Sequence, residues 1–309
     1  MNVLVTGAGG NLGRLLVSKL SSNSKIKKII GVDLKEPKPI QKLKFYKIDI
    51  RDKNIRKIFQ EEKVDTVIHL AFMLVPMYDT KKQWDINVLG SQNIFFISEE
   101  SKVKKIVFAS STNAYGAHPD NPIPLTEEHP LRPNPDVQYT VEKMICEGML
   151  NKIQERNPKM IVTILRPCTI VGPHIKNPLL NIMKKTKMKS FVTFIGYNPA
   201  LQFVHEEDVT QAFYQAVIES HPGIFNVVPD DYIDITIAKE KGYKIFWLHF
   251  PTAKFFANVI WKLRLFNTAP ATLDLIRYSW VASNEKIRKE WGFKFNYTTD
   301  EALLSVLKT

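Results

Sequence analysis

The residues best suited to chemistry in this 309-residue chain are Tyr139 and Lys143, in the stretch YTVEK. They stand four apart at the start of a helical pattern that continues through MICEGMLNKI, so both side chains fall on one helix face. A phenol with an ordinary pKa near ~10 is a poor base at neutral pH, but an adjacent ammonium favours phenolate. Such a tyrosine can exchange a proton with an alcohol and carbonyl pair. The same spacing alone also describes an ordinary surface helix pair, so its meaning depends on what surrounds it. KIVFASSTNAYG supplies one neighbour, because Ser111 sits at the end of a strand-like run, where open parallel sheets gather ligand chemistry. There it is placed to hold a substrate oxygen beside Tyr139. A turn serine is the plainer reading of Ser111 taken singly.

A second group of residues suits a phosphate ligand. The opening MNVLVTGAGGNLGRLL sets four glycines within residues 7–13, between a strand-like and a helix-like run. Gly7, Gly10 and Gly13, spaced three apart, suit a tight turn, close backbone approach to a pyrophosphate and close helix-on-strand packing. The free amides at the helix start, around Asn11 and Leu12, would face the negative charge. Asp33 ends the run KKIIGVD, twenty residues after Gly13. A carboxylate there binds both ribose hydroxyls of an adenosine and repels a 2′-phosphate, which favours NAD over NADP, and nearby Lys35 moderates that preference. Taken singly, the glycines are also compatible with a bare turn and Asp33 with a strand-end residue.

The elements that must position these groups alternate. NVLVT, KKIIGVD, KFYKID, DTVIHLA, KIVFAS and MIVTILRP read as buried strands, each followed by a polar or amphipathic stretch. That alternation implies an α/β fold with a parallel sheet covered by helices on both faces. Residues 116–135 carry six prolines and read as a long irregular connection. Beyond residue 167 the alternation loosens into a smaller C-terminal lobe, although LQFVHEEDVTQAF and GIFNVV are expected to rejoin the main sheet.

Composition excludes several function classes. The two cysteines, Cys146 and Cys168, have no metal-ligand partners nearby, so neither a disulfide framework nor a metal site is expected. Met1 leads directly into the first strand, and no apolar run is long enough to span a membrane; a soluble cytoplasmic protein is the expectation. The net charge of +12 comes mainly from lysines dispersed singly or in short clusters such as KIKK and MKKTKMK. Solvated faces explain them better than a nucleic-acid surface, which concentrates cations and interleaves aromatics.

TGAGGNLG, Asp33, HLAF, NVLGSQN, ASSTNAYG, YTVEK, LRPCTIVGP and FVHEEDV, in that order, resemble the extended short-chain dehydrogenase/reductase family in its NAD-dependent epimerase/dehydratase branch. The resemblance runs from residue 1 to about residue 230 and continues weakly beyond. It implies a Rossmann-type doubly wound sheet, with an NAD-binding domain over residues 1–167 plus chain returns near 200–230, and residues 168–309 forming mainly a substrate-binding lobe. It implies that Gly7, Gly10, Asn11, Leu12 and Gly13 form the pyrophosphate turn and that Asp33 is the ribose ligand. Asp49 and Ile50 would flank adenine, Leu70 and Ala71 would lie where the chain passes the cofactor, and Asn87 would support the active-site helix on the cofactor side. Ser111, Tyr139 and Lys143 would be catalytic, Lys143 also binding the nicotinamide ribose, with Pro167 near the nicotinamide. Asp49 and Asn87 also suit helix caps or turns, His205 reads as a structural histidine, and Cys168 as a packed small hydrophobe. A homodimer through helices around 85–100 and 138–156 is a further implication.

Departures from the family pattern narrow the chemistry. Thr112, Asn113 and Ala114 stand where water-eliminating dehydratases carry an Asp-Glu pair, which disfavours a 4,6-dehydratase. Thr169 replaces an asparagine that contacts the substrate diphosphate, and beyond Arg166 the only arginines are Arg264, Arg277 and Arg288. The segment FMLVPMY is apolar for a stretch facing substrate; core or lid packing is its expected role, with room for a less polar substrate. AKFFANVIWKLRLF is expected to be buried in the small lobe or at an oligomer contact rather than on a membrane surface. The activity implied is that of an NAD-dependent epimerase or oxidoreductase on a secondary alcohol, with a nucleotide sugar as substrate. The alternative is a dehydrogenase or ketoreductase of a free sugar or apolar, hydroxysteroid-like alcohol. A non-catalytic NAD-binding sensor is disfavoured by the complete set of Ser111, Tyr139 and Lys143.

Overall fold

The burial of alternate side chains decides the architecture. On β1 (Asn2–Thr6), Val3 and Val5 enter one core layer and Leu4 enters the other, because successive strand side chains point to opposite faces. On β2 (Lys28–Asp33), Ile29 is likewise opposed to Ile30 and Val32. Strands buried on both faces belong to parallel sheets wrapped by helices. The computed structural model, which describes residues 1–175, 189–265 and 269–308, has that sheet. Most of the lysine cluster MKKTKMK, and Phe266, lie outside the described residues.

The remaining sheet strands are β3 (Leu43–Lys47), β4 (Thr66–His69), β5 (Lys105–Ala109), β6 (Ile161–Pro167) and, after the short β7 (Thr169–Val171), β8 (Ser190–Phe194) and β9 (Phe203–His205), the edge strand β10 (Gly223–Val227). Their order is β10-β6-β5-β4-β1-β2-β3, and all six pairings are parallel. This is the doubly wound Rossmann-type arrangement, reversing its winding between β1 and β4. GIFNVV rejoins the sheet as β10, as expected. The stretch around FVH does not: β9 pairs with β7 in a separate two-stranded ribbon.

The helices are α1 (Asn11–Ser21), α2 (Ile55–Glu62), α3 (Thr80–Trp84), α4 (Gly90–Glu100), α5 (Gln138–Arg156) and α6 (Glu206–Ile218). Leu16 and Leu20 of α1 and Phe213 of α6 fill one layer; Phe59 of α2, Phe95 of α4 and Leu150 of α5 fill the other. A third, smaller cluster gathers Phe191, Phe203, Ile233 and Leu303. It draws on α7 (Ile235–Glu240), β11 (Lys244–Leu248) and α10 (Thr299–Ser305), whereas Ile287 and Trp291 of α9 (Glu285–Trp291) join the first layer and α8 (Phe250–Lys262) buries no residue. Both cysteines are free and buried. Among the described residues no helix is long and apolar enough to cross a membrane, and no cluster of side chains suits a metal ion.

Seating α1 on β1 depends on Gly13, where an added Cβ would stand 2.1 Å from the Gly7 carbonyl oxygen. Gly148, exposed in the middle of α5, has nothing within 4 Å of such a Cβ. Gly13→Ala is therefore expected to cost roughly 1–3 kcal/mol of unfolding free energy through overpacking. Gly148→Ala should instead gain roughly 0.5–1 kcal/mol by restricting the unfolded chain. Urea unfolding of the two variants checks this; equal responses would contradict it.

Candidate active site

The site begins where Thr6 ends β1 and His69 ends β4, at the reversal point of the sheet. Thr6 Oγ1 accepts from the Leu70 and Ala71 amides, each at 3.2 Å, and lies 2.7 Å from His69 Nδ1. With both lone pairs in use, the Thr6 hydroxyl donates to Nδ1, which leaves His69 as the Nε2–H tautomer. Nε2 then donates to Ser91 Oγ at 2.8 Å, and the Ser91 hydroxyl donates to the Asn87 carbonyl oxygen. Burial, and then the charge of Lys143, hold His69 down at about 3, so it stays neutral.

Asn87 carries the line onward. Its Oδ1 accepts from the Met73 amide at 2.7 Å, and its Nδ2 donates to the Met73 carbonyl at 3.1 Å and to Glu142 Oε2 at 2.6 Å. Glu142, fully buried on α5, also accepts from Gln83 at 3.2 Å and Gln138 at 2.7 Å. The loop after β4, the π-helical turn Asp85–Leu89 and α5 are thus one hydrogen-bonded unit. The Asn87 amide is committed to Met73 and Glu142, which makes it a brace for the helix.

On α5, Lys143 Nζ donates to the Ala109 carbonyl at 2.5 Å, holding the helix against the end of β5. Among the described residues no carboxylate pairs with it. Its surroundings are ring faces: Phe72 at 3.4 Å, Phe108 at 4.8 Å and Tyr139 at 5.6 Å. Burial pulls this ammonium down to about 7, opposed by the negative character of Cys146, Glu147 and Glu142. Burial pushes the Tyr139 phenol up to about 12, against a hydrogen bond from Ser111 that favours phenolate. Ser111 Oγ caps the 3₁₀ turn Thr112–Tyr115 by accepting from the Asn113 amide at 3.2 Å, and its one proton serves either the Tyr139 phenol or the Pro167 carbonyl 3.4 Å away. Ser111, Tyr139 and Lys143, from β5's end and the first turns of α5, therefore stand together.

A second buried network explains why Ser111, and not its neighbour, faces the phenol. Arg166 forks onto Glu147 at 3.0 and 2.6 Å, and the Ser110 hydroxyl donates to the same carboxylate. Arg166 also donates to the Tyr115 hydroxyl at 2.7 Å, which donates to Asn226 Oδ1 of β10 at 2.9 Å. Next to Ser111, Thr112 Oγ1 and Asn113 Oδ1 are buried with no hydrogen-bond partner among the described residues, the kind of orphaned polar atoms that mark ligand sites.

At the other end, Gly7 adopts φ +72°, and a Cβ there would lie 2.7 Å from the Ala71 nitrogen. Gly10 caps α1 with no side chain, so the first-turn amides of Asn11, Leu12 and Gly13 find no acceptor within the helix. Asp33 accepts from the Gly9 amide at 2.9 Å and the Lys35 amide at 3.0 Å, which uses two of about four acceptor positions of a carboxylate. A positive-φ glycine, free helix amides and a strand-end carboxylate on the same rim fit a dinucleotide diphosphate and its ribose. Asp49 is engaged by Arg51 at 2.9 and 2.6 Å, which holds its carboxyl below the usual range. The Ile50 side chain is buried in the second core layer, Leu70 and Ala71 pack against the first and second layers, and Pro167 ends β6. His205 caps α6 through the Glu207 amide and stacks on Tyr297 at 3.8 Å, a structural role.

Sequence reasoning missed Phe72, Gln83 and Glu142. Phe72 meets Tyr139 edge to face, with ring centroids 5.6 Å apart, while covering Lys143. The signal available was the apolar segment FMLVPMY, whose expected lid-like packing begins with this ring.

A family model, that of the NAD dependent epimerase/dehydratase family, matches residues 3–227. An uncharacterised protein of Mycobacterium tuberculosis is 27% identical over 97% of this chain and 81% of its own length. A putative UDP-glucose 4-epimerase of Methanocaldococcus jannaschii is 31% identical over 70% of this chain and 73% of its own. The solved UDP-glucose 4-epimerase of Thermotoga maritima with UDP-glucose shares the fold, with a TM-score of 0.79, 22% identity, and coverage of 100% of this chain and 98% of that one.

Glu142→Gln tests the brace. The carboxylate receives only donors, and Asn87 cannot turn over because Met73 fixes both ends of its amide. An amide NH₂ set against these donors is expected to destabilise the protein by roughly 1–3 kcal/mol in urea unfolding. Unchanged stability would contradict a network of this polarity.

Proposed function

Because the chain belongs to the NAD-dependent epimerase/dehydratase family, we propose that it acts on a secondary alcohol of a nucleotide sugar, as an epimerase or oxidoreductase in which Tyr139 carries the proton. The observation that carries this reading is the meeting of Ser111, Tyr139 and Lys143 at the carboxyl end of β5. When bound, NAD supplies the hydride acceptor and donor.

Every other part of the task falls to the chain. Gly7, Gly10 and the first-turn amides hold the pyrophosphate, and Asp33 holds the ribose hydroxyls and selects against a 2′-phosphate. Ser111 holds the substrate oxygen. Tyr139 takes the hydroxyl proton and returns it when the carbonyl is reduced again. With its phenol pushed up to about 12, Tyr139 is protonated in the free protein at neutral pH, so cationic neighbours must bring it down. Lys143 is one of them, and Phe72 and Phe108 keep water from the pair. The smaller cluster of residues beyond 167 is the substrate lobe in this reading. Leu89 and Phe96, exposed seven residues apart beside and on α4, support a homodimer through that helix.

The absence of carboxylates at Thr112, Asn113 and Ala114 supports hydride shuttling over elimination of water. A second reading, a dehydrogenase of a free or apolar alcohol, is favoured by Leu74 and Val75, exposed in the loop that begins at Phe72. Incubation with UDP-hexoses separates the two: epimerisation converts them with no lasting NADH, whereas the second reading gives steady NADH from free alcohols. Tyr139→Phe is expected to lower turnover by about 10²–10⁴-fold while NAD binding, measured by calorimetry, is kept. Full turnover by that variant would contradict Tyr139 as the proton carrier.

A further inference from the structure

The two faces of α8 differ in use. Its inner face is engaged: Phe250 meets Phe194 edge to face at 4.9 Å, Lys254 pairs with Asp274 at 2.9 Å, and Trp261 stacks on Tyr78 at 4.1 Å. Its outer face carries Phe255, Phe256, Val259, Ile260 and Leu263, a spacing that forms one stripe along a helix. No residue of α8 is buried, and Phe255, Phe256 and Leu263 are 63%, 57% and 63% exposed. This corrects the expectation from sequence that the segment is covered within the small lobe. On the preceding strand β11, Phe246, Trp247 and Leu248 are exposed as well.

Charge decides what such a stripe fits. Residues 241–273 contain five lysines and arginines and no aspartate or glutamate. Lys241 and Lys254 are paired with Asp300 and Asp274 from outside that stretch. Lys244, Lys262 and Arg264 have no carboxylate partner among the described residues, and of these Arg264 lies over the Tyr78 ring at 5.5 Å, beside Trp261. A second copy of this chain would set these cations against one another, on a protein already at net charge +12. Exposed aromatic and aliphatic side chains on a stretch that carries cations and no carboxylate instead match an acyl boundary beneath anionic headgroups.

We propose that α8 docks the protein on an anionic phospholipid surface, lying in the plane of the interface with Phe255, Phe256 and Leu263 toward the acyl chains. At thirteen residues the helix is too short to span a bilayer. The proposal stands apart from the activity proposed above. Docking would also lie one loop away from the chemistry, since Tyr78 on Trp261 and Phe72 over Lys143 belong to the same segment.

The test is co-sedimentation of the full chain with vesicles of mixed phosphatidylglycerol and phosphatidylcholine, or of phosphatidylcholine alone. Binding is expected to the anionic vesicles, to weaken with added salt, and to fall about tenfold or more in the double variant Phe255→Ser, Phe256→Ser and in Lys244→Gln, Lys262→Gln. All four side chains are exposed, and an unchanged urea midpoint would show that each variant folds. Equal sedimentation with both vesicle types, no sedimentation, or binding untouched by either variant would overturn the proposal. So would a wild-type dimer that the double phenylalanine variant dissociates, which would assign the stripe to a second copy.

Discussion

An ammonium enclosed by rings, with one carbonyl to bond, is the constraint around which the candidate site is built. Lys143 is 2% exposed, and unpaired buried charge is costly. Lys105 shows how the fold treats a buried lysine elsewhere: its ammonium sits on the carbonyls of Ala216, Val217 and Glu219 at the end of α6, where a helix welcomes a cation, and it is held at about 8. Lys143 has no such end to cap and falls to about 7. Because the folded value lies below the ordinary 10.5, the penalty is fully present below pH 7 and is relieved as pH rises toward 10.5, where the unfolded chain also loses its proton. The two carboxylates of its own helix that act on it are turned elsewhere, Glu142 to three amides and Glu147 to Arg166. In the proposed reaction the charge is left for a partner that forms only when Tyr139 ionises.

Rigidity around that charge comes from two buried lines. One runs from Thr6 through His69, Ser91 and Asn87 to Glu142, so the strand that leads into the glycine turn and the helix that carries the phenol are tied together. The other runs from Glu147 through Arg166 and Tyr115 to Asn226, fastening α5 to β6 and the edge strand β10. Each is satisfied along its length, which is when a buried polar network specifies one arrangement.

The fold was legible because strands buried on both faces read as continuous apolar runs with polar boundaries; all six expected strands lie in the sheet, although KFYKID, expected to be buried, forms the edge strand β3 with no buried residue. The ribbon of β7 and β9 was not, because three-residue strands carry no period to read. At the site, Tyr139, Lys143 and Ser111 were visible through spacing and strand-end position. Phe72 and Glu142 were hidden: an aromatic in an apolar run looks like core, and Glu142 finds its amide partner Asn87 fifty-five positions away. Asp33 was read as a ligand residue, and its bonds to the Gly9 and Lys35 amides add a structural use that no local pattern announces. For α8, the sequence revealed the apolar stripe, but only the tertiary arrangement reveals that no residue of this helix is buried.

Alkaline titration of the phenol, followed by phenolate absorbance and taken as the difference between the wild-type chain and Tyr139→Phe, measures whether this buried pair is poised for proton transfer. Without cofactor, the Tyr139 midpoint should lie near 12. With NAD bound, the nicotinamide cation should lower it by about one unit or more. A midpoint that NAD leaves in place would mean that the phenol and the nicotinamide do not share a site.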